Sequence, residues 1–230
     1  MSLSRPAYRS KLYRDFRSLE ARSVHSRIRF FEEHEAAIRQ LPEEEFFELF
    51  AAYTEDLYRA GAYTKYKTVA DEMIACCLER QPSGEAGWDL FLATIFRKAD
   101  SCYQLQEYGP AAHLFKEVLR MDPFNSAGKA GLRRTLYRAK SENVLNARAV
   151  SVLLIMSAAL LTAFELLTIR NFFPSMVKVV EWTRIGLFAL GVIVLAGSDL
   201  YQRRKAWLDS KRFSREMARR KRDKFFTNPV

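Results

Sequence analysis

The sequence predicts an all-α protein in which antiparallel helical hairpins precede a two-helix transmembrane hairpin and a basic helical tail. Three observations predict this fold class. Apolar residues recur at helical spacing through the first 148 positions, two long apolar stretches follow, and basic residues dominate the C-terminus. The period-two alternation typical of strands is almost absent. A length of 230 residues allows one ordinary domain with an appendage, and excludes a large multidomain enzyme.

The first helices follow from apolar spacing and from their start and stop signals. A basic N-terminal arm, residues 1–41, carries apolar residues at steps of three, four and seven, namely Val24, Ile28, Phe31 and Ile38. Pro42 and the three glutamates after it are typical of a helix start, and Gly61 is a stop signal. Further helices are predicted over about 65–80, from Trp88 to Cys102, and before Asp122.

A repeat with an offset of 41 positions organises these helices. The matching pairs are Ala70 and Ala111, Ile74 and Phe115, Cys77 and Val118, Leu78 and Leu119, and Pro82 and Pro123. The segment YGPAAHLFKEVLRMDPFN, residues 108–125, resembles the second helix of a tetratricopeptide repeat. The offset departs from the family's period of about 34, Gln81 stands where Asp is usual, and Cys102 replaces an aromatic residue. An unrelated antiparallel helical bundle is the alternative.

The resemblance implies a helical repeat domain over residues 42–146 with a concave groove for protein partners. The groove residues it suggests are aromatic, although some of them must belong to the core: Tyr53, Tyr58, Tyr66, Phe96 and Tyr103. Since neither Gly nor Pro occurs between Leu132 and Phe173, the helix after the last repeat is expected to run unbroken toward the membrane.

Two apolar stretches predict a transmembrane hairpin over residues 147–201. The first span, about 149–169, has 21 residues and a single charge, Glu165, which matches the roughly 30 Å of a bilayer core. The second span, about 182–201, ends in aromatic residues on both sides. The short linker containing Pro174 places both outer flanks on one side.

Basic residues predict the orientation of this hairpin. They concentrate before the first span and after the second, so the positive-inside rule places the N-terminus, the C-terminus and the helical domain in the cytoplasm. The first residues contain no apolar signal-peptide core, so the first span is expected to direct insertion. The predicted protein is therefore an integral membrane protein with two spans.

Charged and small residues inside the spans are candidate sites of helix packing or ion pairing. Glu165 is expected to pair with Arg184 or Lys178, and Asp199 with Arg203 or Arg148. Contact with another membrane subunit is the alternative reading, and a proton path is the least favoured. The small residues that permit close approach are Ala159, Ala163, Gly186 and Gly197.

The tail, residues 202–230, holds 11 Lys and Arg against 3 Asp and Glu. Its pattern resembles an amphipathic helix that lies on anionic headgroups. The cations expected to contact lipid are Arg203, Arg204, Lys205, Lys211, Arg212, Arg215, Arg219 and Arg220. The alternatives are a solvated tail that only fixes topology and, less favoured, a nucleic-acid contact.

No motif predicts catalysis, a metal site or a cofactor. His25, His34 and His113 lack metal-ligand spacing, and the three cysteines form neither a C-x-x-C motif nor an even disulfide set. The sequence therefore predicts a non-enzymatic, membrane-anchored adaptor or assembly scaffold that binds a protein partner on the cytoplasmic face. The alternative is an accessory subunit of a membrane enzyme or transport complex, bound through the hairpin.

Overall fold

The computed structural model describes residues 10–19, 24–79, 85–139, 142–169 and 177–227. Within these ranges the chain is helical and contains no strand, which confirms the all-α fold class. The helices are α1 Lys11–Ser18, α2 Val24–Glu33, α3 Glu35–Ile38, α4 Glu43–Arg59, α5 Tyr63–Glu79, α6 Glu85–Gln104, α7 Tyr108–Met121, α8 Ser126–Arg138, α9 Glu142–Phe164 and α10 Val177–Thr227. A π-helical turn, Glu165–Ile169, follows α9 directly.

The chain divides into two compact units. The first unit comprises residues 1–132 and 217–230, and the second unit comprises residues 133–216. Both boundaries fall inside helices, α8 and α10. The basic tail continues the helix α10 up to Thr227.

The predicted continuous helix between the repeats and the first apolar stretch is wrong. α8 ends at Arg138 and α9 begins at Glu142. The carbonyl of Leu136, in the last turn of α8, accepts a hydrogen bond from the Gln202 side chain at 3.2 Å. A side chain from α10 thus caps the end of α8, a contact that the absence of Gly and Pro does not reveal.

The core of the first unit is rich in aromatic residues. Phe31 of α2 stacks on Tyr53 of α4 with ring centroids 4.1 Å apart, and α4, α5, α6 and α7 contact one another in chain order. The predicted single helix over the N-terminal arm is interrupted at His34, between α2 and α3. The largest buried side chains of this unit include Phe16, Ile38, Leu49, Phe50, Leu57, Tyr66, Met73, Phe115 and Leu119.

Two helix ends in this unit adopt the same backbone turn with different residues. After α4, Gly61 has φ +73°, and the amide of Ala62 bonds to the carbonyl of Leu57. After α6, Gln106 takes the left-handed position with φ 62°, and the amide of Glu107 bonds to the carbonyl of Cys102. Both ends are Schellman motifs, and only the first has the glycine that this conformation favours.

The 41-residue repeat holds at some positions and fails at others. Ala70 and Ala111 are both fully buried. Leu119 is buried, whereas its counterpart Leu78 is 55% exposed. Pro82 lies outside the described residues.

Candidate functional site

Two helices of the structure are long and apolar enough to cross a membrane, Val144–Leu167 and Lys178–Asp223. Only 17% and 6% of their most apolar stretches are buried. A core helix of a soluble protein would be mostly buried, so these two helices differ from core helices in the buried fraction of their apolar stretches. The exposed side chains include Leu153, Leu160, Leu167, Trp182, Ile193 and Leu195.

Contacts at three levels join α9 to the first half of α10 in opposite chain directions. Near one end Arg148 bonds to Asp199 at 3.2 Å. Midway, the α-carbon of Gly191 lies so close to α9 that an added methyl group would contact Ile155 and the carbonyl of Ser151. At the other end the π-helical turn contacts α10 through a second ion pair.

That second ion pair joins Glu165, the first residue of the π-helical turn, to Arg184. Nη1 of Arg184 lies 3.1 Å from Oε2 of Glu165, and the two side chains are 29% and 12% exposed. The structure thus pairs Glu165 with Arg184 rather than with Lys178, the other cation considered. In an apolar environment the pair removes the cost of an isolated buried charge.

Asp199 is the centre of a polar cluster at the opposite end of the helix pair. Its Oδ1 accepts hydrogen bonds from the Tyr137 hydroxyl at 2.8 Å and from Arg148 at 3.2 Å, and its Oδ2 accepts one from Arg203 at 2.9 Å. The guanidinium of Arg203 also lies over the Tyr137 ring, 5.7 Å from its centroid. Both cations considered from the sequence are present, and Tyr137 is an additional partner.

The small residues named from the sequence do not form the contact between α9 and α10. Gly186 and Gly197 have open space around the position of a β-carbon, and Ala163 is exposed. Gly191 makes the close approach instead. At 100° per residue, Gly186 and Gly197 point away from the face that Gly191 presents to α9. Their contact with another subunit stays a prediction.

An open cavity of about 340 Å³ lies between α9 and α10 beside the Glu165–Arg184 pair. Ala159, the remaining small residue of the predicted set, is one of its lining residues. The others are Ile155, Ala158, Thr162, Arg184, Ile185 and Phe188. The cavity is apolar except for Thr162 and Arg184.

The basic tail continues α10 without a break and buries a narrow stripe of small and polar residues. The stripe consists of Gln202, Ala206, Ser210, Ser214 and Met217, at steps of four and three. The cations predicted to contact lipid are exposed. At 1.5 Å per residue, Arg203, Arg204 and Lys205 lie within about 6 Å of Tyr201 along the helix, whereas Arg215, Arg219 and Arg220 lie about 20 to 30 Å beyond it.

The five aromatic residues predicted to line a partner groove divide into two groups. Tyr53 and Tyr66 are 4% and 1% exposed and belong to the core. Tyr58, Phe96 and Tyr103 are partly buried: Phe96 packs edge-on against Phe115, and Tyr103 against Tyr108. Partner contact by these last three residues stays a prediction.

Burial perturbs the acidity of several tyrosines in the first unit. The Tyr58 hydroxyl donates a hydrogen bond to Oδ2 of Asp100 at 2.9 Å, and desolvation with this contact raises the pKa of Tyr58 to about 12. Burial also raises the pKa of Tyr53 and of Tyr66 above the ordinary value. These hydroxyls act as hydrogen-bond donors at neutral pH.

Burial disfavours thiolate chemistry at Cys76 and Cys102 because it raises the pKa of both thiols. Cys77 and Cys102 are buried. No group of three or more potential metal ligands occurs among the described residues.

Sequence reasoning missed a buried ion pair between Arg27 of α2 and Asp56 of α4. The Asp56 carboxylate is fully buried, and burial raises its pKa even though Arg27 acts in the opposite direction. The local sequence gives no signal for this pair, because its members are 29 positions apart.

No family model, curated protein or solved structure matches the chain.

Proposed function

We propose that the protein crosses a membrane twice and presents its N-terminal helices in the cytoplasm as a protein-interaction adaptor. The observation that carries the membrane assignment is the exposed apolar surface of α9 and of the first half of α10. In water this surface would be unfavourable by roughly 25 cal/mol for each Å². A bilayer core removes that cost for helices of this length.

The contacts between α9 and α10 support a hairpin with both outer flanks on one side. The Asp199 cluster lies at the flank end, where three arginine and tyrosine partners can reach water or headgroups. The Glu165–Arg184 pair lies at the other end, near the connecting residues. Each charge in the apolar stretches therefore has a partner of opposite sign, as membrane insertion requires.

The adaptor assignment is supported by the chain order of packing in α4 to α7 and by their resemblance to tetratricopeptide helices. Helix pairs stacked in this way leave one face for partner binding. The partly buried rings of Tyr58, Phe96 and Tyr103 can offer apolar edges on such a face. The protein has no proposed catalytic role and no proposed cofactor.

One observation favours a second function, that of an accessory subunit in a membrane complex. The open cavity lies between α9 and α10, and two of its lining side chains, Ala159 and Phe188, are exposed. Small residues beside an open cleft permit close approach of another transmembrane helix. In this case the binding surface is the helix pair rather than the N-terminal helices.

The membrane assignment is tested by alkaline extraction and by cysteine labelling of the full chain in sealed vesicles. We expect the protein to stay in the membrane pellet. A cysteine introduced at Thr227 should react with an impermeant maleimide on the same side as one introduced at Ser10, whereas one at Lys178 should react on the other side. Release by alkali, or labelling of all three from one side, would contradict two spans.

The adaptor and subunit functions are separated by where substitutions abolish partner binding. We expect Tyr103→Ala in the full chain to lose the protein that co-purifies in mild detergent, and Ala159→Leu to retain it. A truncated chain that ends at Asn146 should keep the same partner. Loss with Ala159→Leu and with the truncation, but not with Tyr103→Ala, would favour the accessory subunit.

A further inference from the structure

A basic cavity in the second unit lies next to the Asp199 cluster. Its volume is about 360 Å³, and its six lining residues come from the end of α8 and from α10: Arg133, Arg134, Tyr137, Arg203, Ala206 and Trp207. Three of the six are arginines, and none is acidic. The aromatic rings and the aliphatic stems of the arginines make most of the wall apolar.

The cavity is held in shape by the contacts around Asp199. Arg203 donates to Oδ2 of Asp199 at 2.9 Å, and the Tyr137 hydroxyl donates to Oδ1 at 2.8 Å. The cap from Gln202 to the Leu136 carbonyl ties the end of α8 to α10 one residue before Arg203. Two walls of the cavity are therefore fixed by hydrogen bonds rather than left to flexible surface side chains.

The position of the cavity along α10 matches the headgroup layer of a bilayer. The apolar stretch ends at Tyr201, and Arg203 to Trp207 follow over about 3 to 9 Å at 1.5 Å per residue. The polar layer on each side of a bilayer core is about 5 to 8 Å thick. Trp207 is 45% exposed, and the ammonium of Lys211 lies 4.3 Å from its ring centroid, which adds a further cation.

We propose that this cavity binds the phosphate headgroup of one anionic phospholipid. Guanidinium groups bind phosphate oxygens in pairs of hydrogen bonds, and basic cavities beside transmembrane helices suit lipid headgroups. The aromatic wall contacts the glycerol backbone and the first methylene groups. This inference rests on the two proposed spans, which put the cavity at headgroup depth, and it adds Arg133 and Arg134 to the cations considered from the tail.

The test measures lipid binding to the full chain in mild detergent, with Trp207 as the only tryptophan in a Trp88→Phe, Trp182→Phe background. Short-chain phosphatidylglycerol should change the Trp207 emission saturably. Short-chain phosphatidylcholine and inorganic phosphate should each leave it nearly unchanged. An equal response to phosphatidylcholine would overturn a headgroup-specific site, and an equal response to inorganic phosphate would identify a free-anion site instead.

Two double variants with the same change in charge locate the site. Arg133→Gln with Arg134→Gln should weaken binding by about tenfold or more, whereas Arg215→Gln with Arg219→Gln should leave it within about twofold, because those cations lie beyond the cavity. Replacement of Arg133 and Arg134 by Lys should restore part of the affinity, because Lys keeps the positive charge but not the paired hydrogen bonds of a guanidinium group. Equal weakening by both Gln pairs would show that lipid binding depends on the total positive charge rather than on the cavity, and it would overturn the proposal.

Folding and membrane insertion have their own readouts. Far-ultraviolet circular dichroism of each variant must match the parent chain, and the Lys variants supply folded comparisons if a Gln pair fails this check. Alkaline extraction tests the spans without lipid titration. A chain that stays in the pellet but binds no phosphatidylglycerol would refute the lipid site alone, and a chain released by alkali would refute the proposed function.

Discussion

The two units differ in the exposure of their apolar side chains. In the first unit Leu49 and Phe50 are 0% and 1% exposed, and the same residue types in the second unit, Leu160 and Phe188, are 69% and 53% exposed. The described residues of both units are mainly helical. The difference lies in how the apolar residues are distributed around the helix axis. In α4 and α7 they form one stripe, whereas in α9 they occupy every side.

This contrast indicates which solvent each unit is built for. A striped helix buries its apolar face against other helices and leaves a polar face for water. A helix that is apolar on all sides needs an apolar medium, and the second unit offers too few neighbouring helices to supply one. Within the apolar stretches of that unit the charged side chains Glu165, Arg184 and Asp199 each have a partner of opposite charge.

The largest effect is expected at the buried ion pair of the first unit. Asp56→Ala leaves Arg27 without its carboxylate in the core, and we expect a loss of about 3 to 5 kcal/mol in the free energy of unfolding. Glu33→Ala is the control, because its exposed pair with Arg29 should contribute nothing measurable. Denaturant unfolding of the full chain in mild detergent, followed by circular dichroism, checks both.

A matched pair of leucine truncations tests the contrast between the units directly. Leu49→Ala removes a fully buried side chain and should cost about 3 kcal/mol of unfolding free energy. Leu153→Ala removes one that is 66% exposed and should leave the unfolding curve in detergent unchanged. Equal losses from both substitutions would mean that α9 is packed like a core helix.

A smaller loss is expected where α8 crosses α7. A methyl group at Gly131 would overlap the fully buried ring of Phe115, so Gly131→Ala should destabilise the first unit by about 2 kcal/mol. Gly109→Ala, on the surface of α7 with open space around it, is the control and should be neutral or stabilising. Thermal unfolding of the two variants checks the difference, and a neutral Gly131→Ala would contradict the close packing.

Tyr58 makes the stability of the first unit depend on pH in the alkaline range. Because its pKa is raised to about 12, its contribution is fully present below the ordinary value of about 10 and is lost as the pH rises through 12. Tyr58→Phe should cost about 1 kcal/mol at neutral pH and flatten this part of the pH profile. Absorbance at the tyrosinate band, with unfolding measured from about pH 8 to 12, tests the sign.

The smallest effect is a gain at the end of α6. Gln106→Gly relieves the left-handed backbone conformation and should stabilise the fold by about 0.5 to 1 kcal/mol. Gly61→Ala after α4 should cost a similar amount, since its φ of +73° is unfavourable for alanine. A rise in melting temperature for the first variant and a fall for the second are expected.

The sequence predicts the local features of this protein well because they depend on neighbouring residues. Apolar spacing predicts α4 to α7 within a few residues of their observed bounds. The first apolar stretch falls within α9 and its π-helical turn, and the second falls within the first half of α10. Pairing of Glu165 with Arg184 could be expected because a short linker between the two apolar stretches places these residues at the same height along the antiparallel helices.

Features that join distant positions could not be predicted in the same way. Tyr137 and Asp199 are 62 residues apart, and nothing in either neighbourhood indicates their hydrogen bond. The choice of Gly191 over Gly186 depends on how α10 is rotated against α9, which composition does not specify. The groove prediction included Tyr53 and Tyr66 because aromatic residues at helical spacing serve cores and binding faces alike.

The central claim is that the exposed apolar surface of α9 and α10 contacts lipid, and spin-label accessibility in reconstituted vesicles tests it most directly. Nitroxides attached to cysteines at Leu160 and Ile193 should be reached by molecular oxygen and shielded from a water-soluble nickel complex. A nitroxide at Arg212 should show the reverse. Free access of the nickel complex to Leu160 and Ile193 would place these helices in water and contradict the account.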